Sequence, residues 1–501
     1  MKKVRMLAID LGASGGKCFA GFIENNRFYM EEIHRFEHEP VRFCVEHNGR
    51  TEWRLYWDDM LIYRNILYAI ERYGKKYGRE LDSIGIDAWG ADGMLVSATG
   101  DVIGRMYCYR DHRLDNMIER VKKMMEPRTL YEITGIHFQP FNMSNQLVWL
   151  KENRPELILP GAVVLPVPSL FYYYLGGIRF VDSTWASVTQ LMDARKKCWS
   201  NKVLEQLGIP ASILPPIVEP GCVTGTLLSE LAGALGVTPA KLIATASHDT
   251  ASAFAAVPAE NIQDALIISS GTWSLIGKLV PSPITTDEAM RLNISNEGGI
   301  GNIRCLKNCM GTWLVQELRR AWRIADGREI EWAELNRLTE EAPAFTALID
   351  PDDPSFYNPS NMQSAIEAFC RRTGQRVPAT RGEFLRTVYE SLALKYRMVN
   401  EQISRVTGYN TKVVHIVSGG ARNIMLNQFT ADAMNLPVIA GPEEATAVGN
   451  LLVQALGLGV IGSLHDGVRI VREAFPVSKY EPRDPDRWED AYERFVKIFA
   501  G

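Results

Sequence analysis

The chain has 501 residues, too many for one ordinary core and suited to two domains of about 250 residues each. Apolar residues make up 46% and charged residues 23%, an ordinary globular balance that argues against a large disordered part. The formal net charge is −4, and no basic run or stripe stands out, so nucleic acid is not expected as the main partner.

The basic start, Met1-Lys2-Lys3-Val4-Arg5, has the charge of an export signal. Asp10 breaks the apolar run soon after it and no cleavage site follows, so a cytoplasmic location is expected. Met6 to Asp10 reads as a strand, Leu11 to Lys17 as a glycine-rich turn, and Cys18 to Ile23 as a second strand. Glu24 to Arg27 is a turn, and Phe28 to Phe36 resumes as a strand. The pattern predicts an antiparallel meander. No helix follows the glycines, which removes the dinucleotide-binding fingerprint. Cys18 stands where a phosphate-binding P-loop needs Ser or Thr, which removes that motif too.

Trp57 to Tyr77 carries Met60, Leu61, Ile66, Leu67 and Ile70 at helical steps. Leu81 to Asp87 is a strand running into Ala88-Trp89-Gly90-Ala91-Asp92-Gly93, and Met94 to Val96 is another. Tyr109 to Arg113 is a charged cluster, read as a salt-bridged corner or as a cleft wall. Thr238-Pro239 and the approach to Ser247 mark the expected domain boundary.

Ser247-His248-Asp249-Thr250 precedes a small-residue helix over Ala251 to Ala256, with Asp249 or Thr250 as its N-cap or Asp249 as a general base. Ala265 to Ile268, the turn Ser269 to Thr272 and the strand Trp273 to Val280 echo the opening hairpin and suggest a duplicated fold. Leu306 to Trp313 leads into a helix bearing Gln316, with Asn308 suited to a polyol and Gln316 to a nucleotide. Eight cysteines run from Cys18 to Cys370 without a Cys-x-x-Cys pair, so reduced, buried thiols are expected rather than a metal or disulfide framework.

Asp350 to Asn361, rich in Pro, Asp and Asn, reads as a surface loop. Phe384 to Val406 is helical and ends at Gly408, Val413 to Val417 is a buried strand, and Ser418-Gly419-Gly420 turns into a helix from about Asn423 to Met434. Glu443 to Leu456 is a further helix, whose Ala445, Ala447 and Gly449 permit close packing. The most apolar late stretch, Leu451 to Ile461, is far shorter than the roughly 20 residues of a membrane span.

Backbone N–H groups in the turn after Asp10 can point at an anion, with Asp10 placed to hold Mg²⁺ directly or through water; the alternative is a plain hairpin turn. Thr272 sits in the matching turn of the second half. Gly419 and Gly420 would let a flat ring approach the backbone, or simply serve the turn from strand to helix.

Ile9 to Lys17, Ser269 to Ser274 and Val417 to Asn423 together resemble the two phosphate loops and the adenosine segment of the FGGY carbohydrate kinases, across nearly the whole chain. His248 to Ala253, Asn296 to Gly299, Leu306 to Asn308 with Met310, Gly311 and Trp313, and Tyr109 to Arg113 resemble the rhamnulokinase branch of that family. The resemblance implies an α/β, actin-like ATPase (ribonuclease H-like) fold with two similar domains around a central cleft. Residues 1–246 would form the sugar and phosphate side, and 247–501 the side of the catalytic base and nucleotide.

It also implies ATP and Mg²⁺ as cofactors and phosphorylation of a ketose, L-rhamnulose to L-rhamnulose 1-phosphate, with another ketose such as L-fuculose or L-xylulose as the alternative. A non-kinase actin-like ATPase is the reading from another class. Ala13, Ser14, Gly15, Gly16 and Lys17 would bind phosphates, and Thr272, Gln316, Gly419 and Gly420 the nucleotide. Gly90, His248, Asp249, Thr250 and Asn308 would bind the sugar, with Asp249 as base. No nucleic-acid or membrane partner is expected, and the assembly is a monomer or homodimer. Ala91 and Gly93 replace bulkier residues of the pattern, which implies a roomier sugar pocket.

Overall fold

The structure is a computed structural model that describes residues 3–25, 27–47, 49–357 and 359–498. Met1 and Lys2 of the basic start, Asn26 of the turn at 24–27 and Asn358 of the loop at 350–361 lie outside the described residues. The chain divides into two compact units. The first comprises Met1–Pro258, Leu279–Cys305 and Ala445–Phe475; the second comprises Ala259–Lys278, Leu306–Glu444 and Pro476–Gly501. The sequence suggested one boundary at 246/247, whereas the chain first leaves the first unit after Pro258 and returns to it twice.

The first unit opens with β1 (Val4–Gly12), β2 (Gly15–Glu24) and β3 (Arg27–Glu37), antiparallel as the meander predicts. Met6 to Ile9 are buried without alternation, the pattern of a strand covered on both faces. Gly12 pairs with Gly15 to close the first turn. A Cβ on Gly15 would lie 2.6 Å from Phe36 O, so β3 passes too close for any side chain there. Helix α1 (Asp59–Tyr77) is capped by Asp58, whose side chain accepts from Leu61 N at 2.9 Å, and it buries Ile62, Ile66, Ala69, Ile70 and Tyr73.

β4 (Ser83–Ala88) is wholly buried and runs parallel to β1. β5 (Val223–Thr226) and β6 (Lys241–Ile243) complete a sheet of order β5-β6-β4-β1-β2-β3. Helix α2 (Asp249–Ala255) follows β6. The late helix Ala445–Gly457 packs directly on α2, where a Cβ on Gly449 would collide with the Ser252 backbone. The small residues there do permit close helix packing.

The second unit holds β7 (Ala265–Ser270), β8 (Trp273–Val280), β9 (Ile303–Met310), β10 (Val413–Val417), β11 (Val438–Ala440) and β12 (Ser478–Tyr480). The unit boundary falls inside β8 and β9. The strand order is β9-β8-β7-β10-β11-β12. β7 is antiparallel to β8 and parallel to β10, β10 is parallel to β11, and β11 is antiparallel to β12. The first unit reads the same from β3 to β5, so the duplication suggested by two hairpins extends to these six strands.

Helices α3 (Trp313–Asp326), α4 (Arg381–Thr407) and α5 (Ile424–Met434) complete the second unit's main elements. The segment read as a surface loop is anchored: Phe356 is buried, and Lys395 Nζ of α4 meets Asp350 Oδ1 at 2.8 Å and Asp352 Oδ2 at 3.0 Å. Asp352 Oδ1 in turn accepts from Met310 N at 2.7 Å, tying the segment to the end of β9.

None of the eight cysteines forms a disulfide; five are buried, but Cys44, Cys198 and Cys222 are exposed, contrary to the expected burial. Among the described residues no helix is long and apolar enough to cross a membrane.

Candidate active site

In the first unit the register sets Asp10 of β1 beside Lys17 of β2 and Asp87 of β4. Asp87 is buried at the end of an otherwise uncharged strand. Its Oδ2 accepts from Asn450 Nδ2 at 2.5 Å. Gln454 Nε2 donates to Asn450 Oδ1 at 2.7 Å, which fixes the amide so that its N–H faces Asp87. Ser83 Oγ donates to Gln454 Oε1 at 2.7 Å and closes the chain of bonds. Among the described residues Asp87 Oδ1 is buried with no hydrogen-bond partner. Burial, and then the neighbouring Asp10 carboxylate, hold the Asp87 carboxyl well above the usual range.

Ser247 O accepts from Ala88 N at 2.8 Å, which brings the 247–250 segment to the end of β4. Asp182 accepts the Ser247 hydroxyl and, at 2.9 Å, the Thr184 N–H, so a buried carboxylate holds the approach to His248. Gly90 lies against the imidazole: a Cβ there would stand 2.5 Å from His248 Nε2. Asp249 is the first residue of α2, and His248 occupies the cap position that the sequence offered to Asp249 or Thr250. Asp249 Oδ1 accepts from Thr250 N at 2.6 Å and Thr250 Oγ1 at 3.1 Å. With two donors one residue away, the carboxylate satisfies its neighbour rather than a later turn.

The Asp249 side chain is 30% exposed, yet burial pushes its carboxyl up to about 6. The Thr250 bonds and Arg304 oppose that rise, and Glu297 adds to it. The unit also contains Glu297 and Arg304, both buried, whose ion pair at 3.1 Å stands behind His248. The sequence carried signals for these unforeseen residues. Arg304 interrupts the apolar run from Ile303 to Leu306, and Asp87 is the one charge in Ser83–Ala88. A charge inside an apolar strand requires a buried partner. Asn450, in contrast, comes from a helix hundreds of positions away, and no local pattern announces it.

The phosphate-loop candidates Ala13 to Lys17 form the tip of the β1–β2 hairpin, where Gly12 O accepts from His38 Nε2 at 2.9 Å. In the second unit, Thr272 sits in the β7–β8 turn. Thr272 O accepts from Gly311 N at 3.0 Å, and Gly271 O accepts from Thr312 N at 2.9 Å. Thr312 Oγ1 also accepts from Gln316 Nε2 at 3.3 Å, and Gln316 is exposed on α3. Gly420 is buried against Ser270, leaving no space for a Cβ, while Gly419 is exposed. Thr272, Gln316 and Gly420 thus surround one turn. Asn308 lies on β9 with its Oδ1 buried and, among the described residues, without a hydrogen-bond partner.

Tyr109 to Arg113 form a structural corner. Asp111 Oδ2 accepts from Leu55 N at 2.6 Å, and the buried Arg113 donates to Cys108 O at 2.9 Å and Gln146 Oε1 at 2.7 Å. Gly93 does not open a pocket: a Cβ there would lie 2.6 Å from Leu165 O, so the neighbouring strand takes up the space.

Mg²⁺ takes oxygen ligands and is commonly held by one or two carboxylates together with waters and substrate phosphates. Among the described residues no group of three or more His, Cys, Asp or Glu side chains is arranged to hold a metal by itself. Asp10 and Asp87, side by side on β1 and β4, supply a carboxylate pair that suits the more open arrangement.

Residues 5–256 match the model of the N-terminal domain of the FGGY family of carbohydrate kinases, and residues 266–458 match that of its C-terminal domain. The chain belongs to the FGGY family of carbohydrate kinases. It is 36% identical over 494 residues to a rhamnulokinase of Bacteroides thetaiotaomicron, covering 98% of this chain and 99% of that one. It is 36% identical over 483 residues to a rhamnulokinase of Bacillus subtilis, covering 96% of each.

Its fold is similar to that of a xylulose kinase from Lactobacillus acidophilus, with a TM-score of 0.79 at 16% identity over 99% of this chain and 98% of that one. A glycerol kinase from Plasmodium falciparum gives 0.76 at 16% identity over 99% and 97%. The α/β, actin-like architecture expected from the sequence is therefore that of the FGGY kinases. The FGGY C-terminal match runs past residue 445 into the helix that returns to the first unit. Asp249, assigned by the sequence to a C-terminal domain, belongs with Asp10 and Asp87 in the first unit.

Proposed function

We propose that this chain transfers the γ-phosphoryl group of ATP to L-rhamnulose, giving L-rhamnulose 1-phosphate and ADP. The observation that carries the chemistry is one carboxylate, Asp249, partly open to solvent and with its pKa raised to about 6. Such a group is ionised at neutral pH and is a better base than an ordinary aspartate. The choice of sugar is supported by the rhamnulokinase relatives at 36% identity across the chain.

Asp249 accepts the proton of the attacking sugar hydroxyl as the O–P bond forms and ADP leaves. Gly90, His248, Thr250 and Asn308 are the residues that bind the sugar. Ala13, Ser14, Gly15, Gly16 and Lys17 bind phosphate oxygens through the hairpin backbone and the ammonium. Thr272, Gln316, Gly419 and Gly420 bind the remainder of the nucleotide. Asp10, with Asp87 beside it, holds Mg²⁺ directly or through water. When bound, the ion neutralises charge on the β- and γ-phosphate oxygens.

ADP release measured across L-rhamnulose, L-fuculose and L-xylulose tests the reading. The highest kcat/KM is expected with L-rhamnulose, and none of the three should react when Mg²⁺ is chelated. A preference for another ketose would reassign the substrate. ATP turnover indifferent to every sugar would leave a non-kinase ATPase.

The pH profile follows from Asp249. The base must be ionised, so kcat/KM with the preferred ketose is expected to be flat above pH 7. Below about pH 6 it should fall, tending to tenfold per pH unit. An acid limb centred near pH 4 would show that the raised carboxyl is not the base.

A further inference from the structure

His248 has a defined partner on the side away from Gly90. Arg304 is fully buried, its Nε donates to Gly298 O at 2.9 Å, and its Nη1 lies 3.1 Å from Glu297 Oε2. Its Nη2 lies 3.0 Å from His248 Nδ1. A guanidinium has only donors, so a short contact of this kind requires the imidazole nitrogen to be the acceptor. With Nδ1 unprotonated, the ring's one proton resides on Nε2. That nitrogen faces the gap left by the missing side chain of Gly90 and stands 3.4 Å from Asp249 Oδ1.

We infer that Arg304, braced by Glu297 and Gly298, is a positioning residue that locks His248 as the neutral Nε2–H tautomer, so that the imidazole presents a fixed hydrogen-bond donor toward Asp249 and a sugar hydroxyl. The inference rests on the proposed ketokinase reading for its consequence on turnover, but not for the tautomer itself. The charged and titratable groups facing the ring are Asp249, Glu297, Arg304 and His137. Burial, then Arg304, then His137 hold the imidazole well below the usual histidine range, so it stays neutral throughout the working pH. His248 on this account moves no proton. Its task is orientation, and a histidine free to exchange tautomers would present a donor only part of the time.

The test reads the tautomer directly. The full chain is labelled with ¹⁵N-histidine, and long-range ¹H–¹⁵N spectra are recorded between pH 6 and 8, with His248→Gln for assignment. The wild-type ring is expected to show Nε2 protonated and Nδ1 bare across that range. Arg304→Met alone strands the Glu297 carboxylate and risks unfolding. The informative variant is therefore Glu297→Gln with Arg304→Met, since replacing both partners of a buried pair is far milder than removing one.

In the double variant, far-UV circular dichroism should match wild type, while the His248 signals broaden toward a tautomer mixture. KM for the preferred ketose should rise about tenfold, the scale of one lost hydrogen bond. A wild-type ring protonated on Nδ1 would overturn the inference, whether or not any ketose is turned over. So would a folded double variant whose tautomer and KM are both unchanged. If no ketose reacts at all while the ring is Nε2–H, the substrate reading fails and the tautomer lock stands.

Discussion

Asp249→Asn is expected to lower kcat by about 10²–10⁴-fold while leaving ketose affinity within a few-fold of wild type. The substitution keeps the size of the side chain and an oxygen that can still accept from Thr250 N, which Asp249 Oδ1 does at 2.6 Å. It removes the group able to take the hydroxyl proton. Binding by isothermal calorimetry and single-turnover rates separate the two effects. A near-normal kcat would remove Asp249 from the chemistry.

The same variant should also be more stable than wild type, in a pH-dependent way. The folded carboxyl has its pKa raised from 3.8 to about 6, so folding favours the protonated form. The stability this contributes is complete below about pH 4 and is lost as pH rises through 6. Asparagine does not titrate, so the difference in Tm should be greatest above pH 6 and vanish near pH 4. A base held this way costs the fold some stability, and the direction of the Tm difference checks that independently of catalysis.

Lys395→Met should produce a large loss of stability. Lys395 Nζ is buried between Asp350 and Asp352, at 2.8 and 3.0 Å. Burial disfavours the ammonium, but Asp352, Cys309 and Asp350 outweigh it and its pKa ends above the ordinary lysine value. Removing one partner of a buried ion pair typically costs about 3–5 kcal/mol. Here it leaves two neighbouring carboxylates without their counter-charge. For a unit of this size a fall in Tm on the order of 10 °C is expected by calorimetry.

Asp352 also holds Met310 N at the end of β9, so KM for ATP should rise as the Gly311–Thr312 turn beside Thr272 loosens. Lys412→Met, which removes an exposed pair with Asp264, is the control and should shift Tm little. Equal shifts in the two variants would mean that the Asp350–Asp352 anchor carries no special weight.

Much of this architecture was legible in the sequence because its signals are local. Short apolar runs separated by small-residue, glycine-containing turns specify the β1–β2 and β7–β8 hairpins, and the 3.6-residue period marks α1 and α4. Asp10 and Asp249 stand out in the sequence because each stands beside small residues that mark a turn or a helix start. The rest was hidden because it depends on contacts distant in sequence. Asn450 reaches Asp87, steadied by Gln454, from a helix that is otherwise largely apolar. Two of the unit boundaries fall inside β8 and β9, where no turn or linker composition marks them. The anchored segment at 350–357 looked solvent-facing because its composition is that of a loop, while the ammonium that pins it belongs to a helix over forty positions later.

The return of Ala445–Gly457 to the first unit has a consequence for how the molecule is made. A ribosome that has finished residue 258 has synthesised β1, β4 and α2, but not the amide that engages Asp87 or the glycine surface that α2 rests on. That half-built unit must wait, with an uncompensated carboxylate and an uncovered helix, until nearly two hundred further residues have emerged. Folding of the amino-terminal half is thus completed by the carboxy-terminal portion, and truncations within that portion should damage the half of the protein that was translated first.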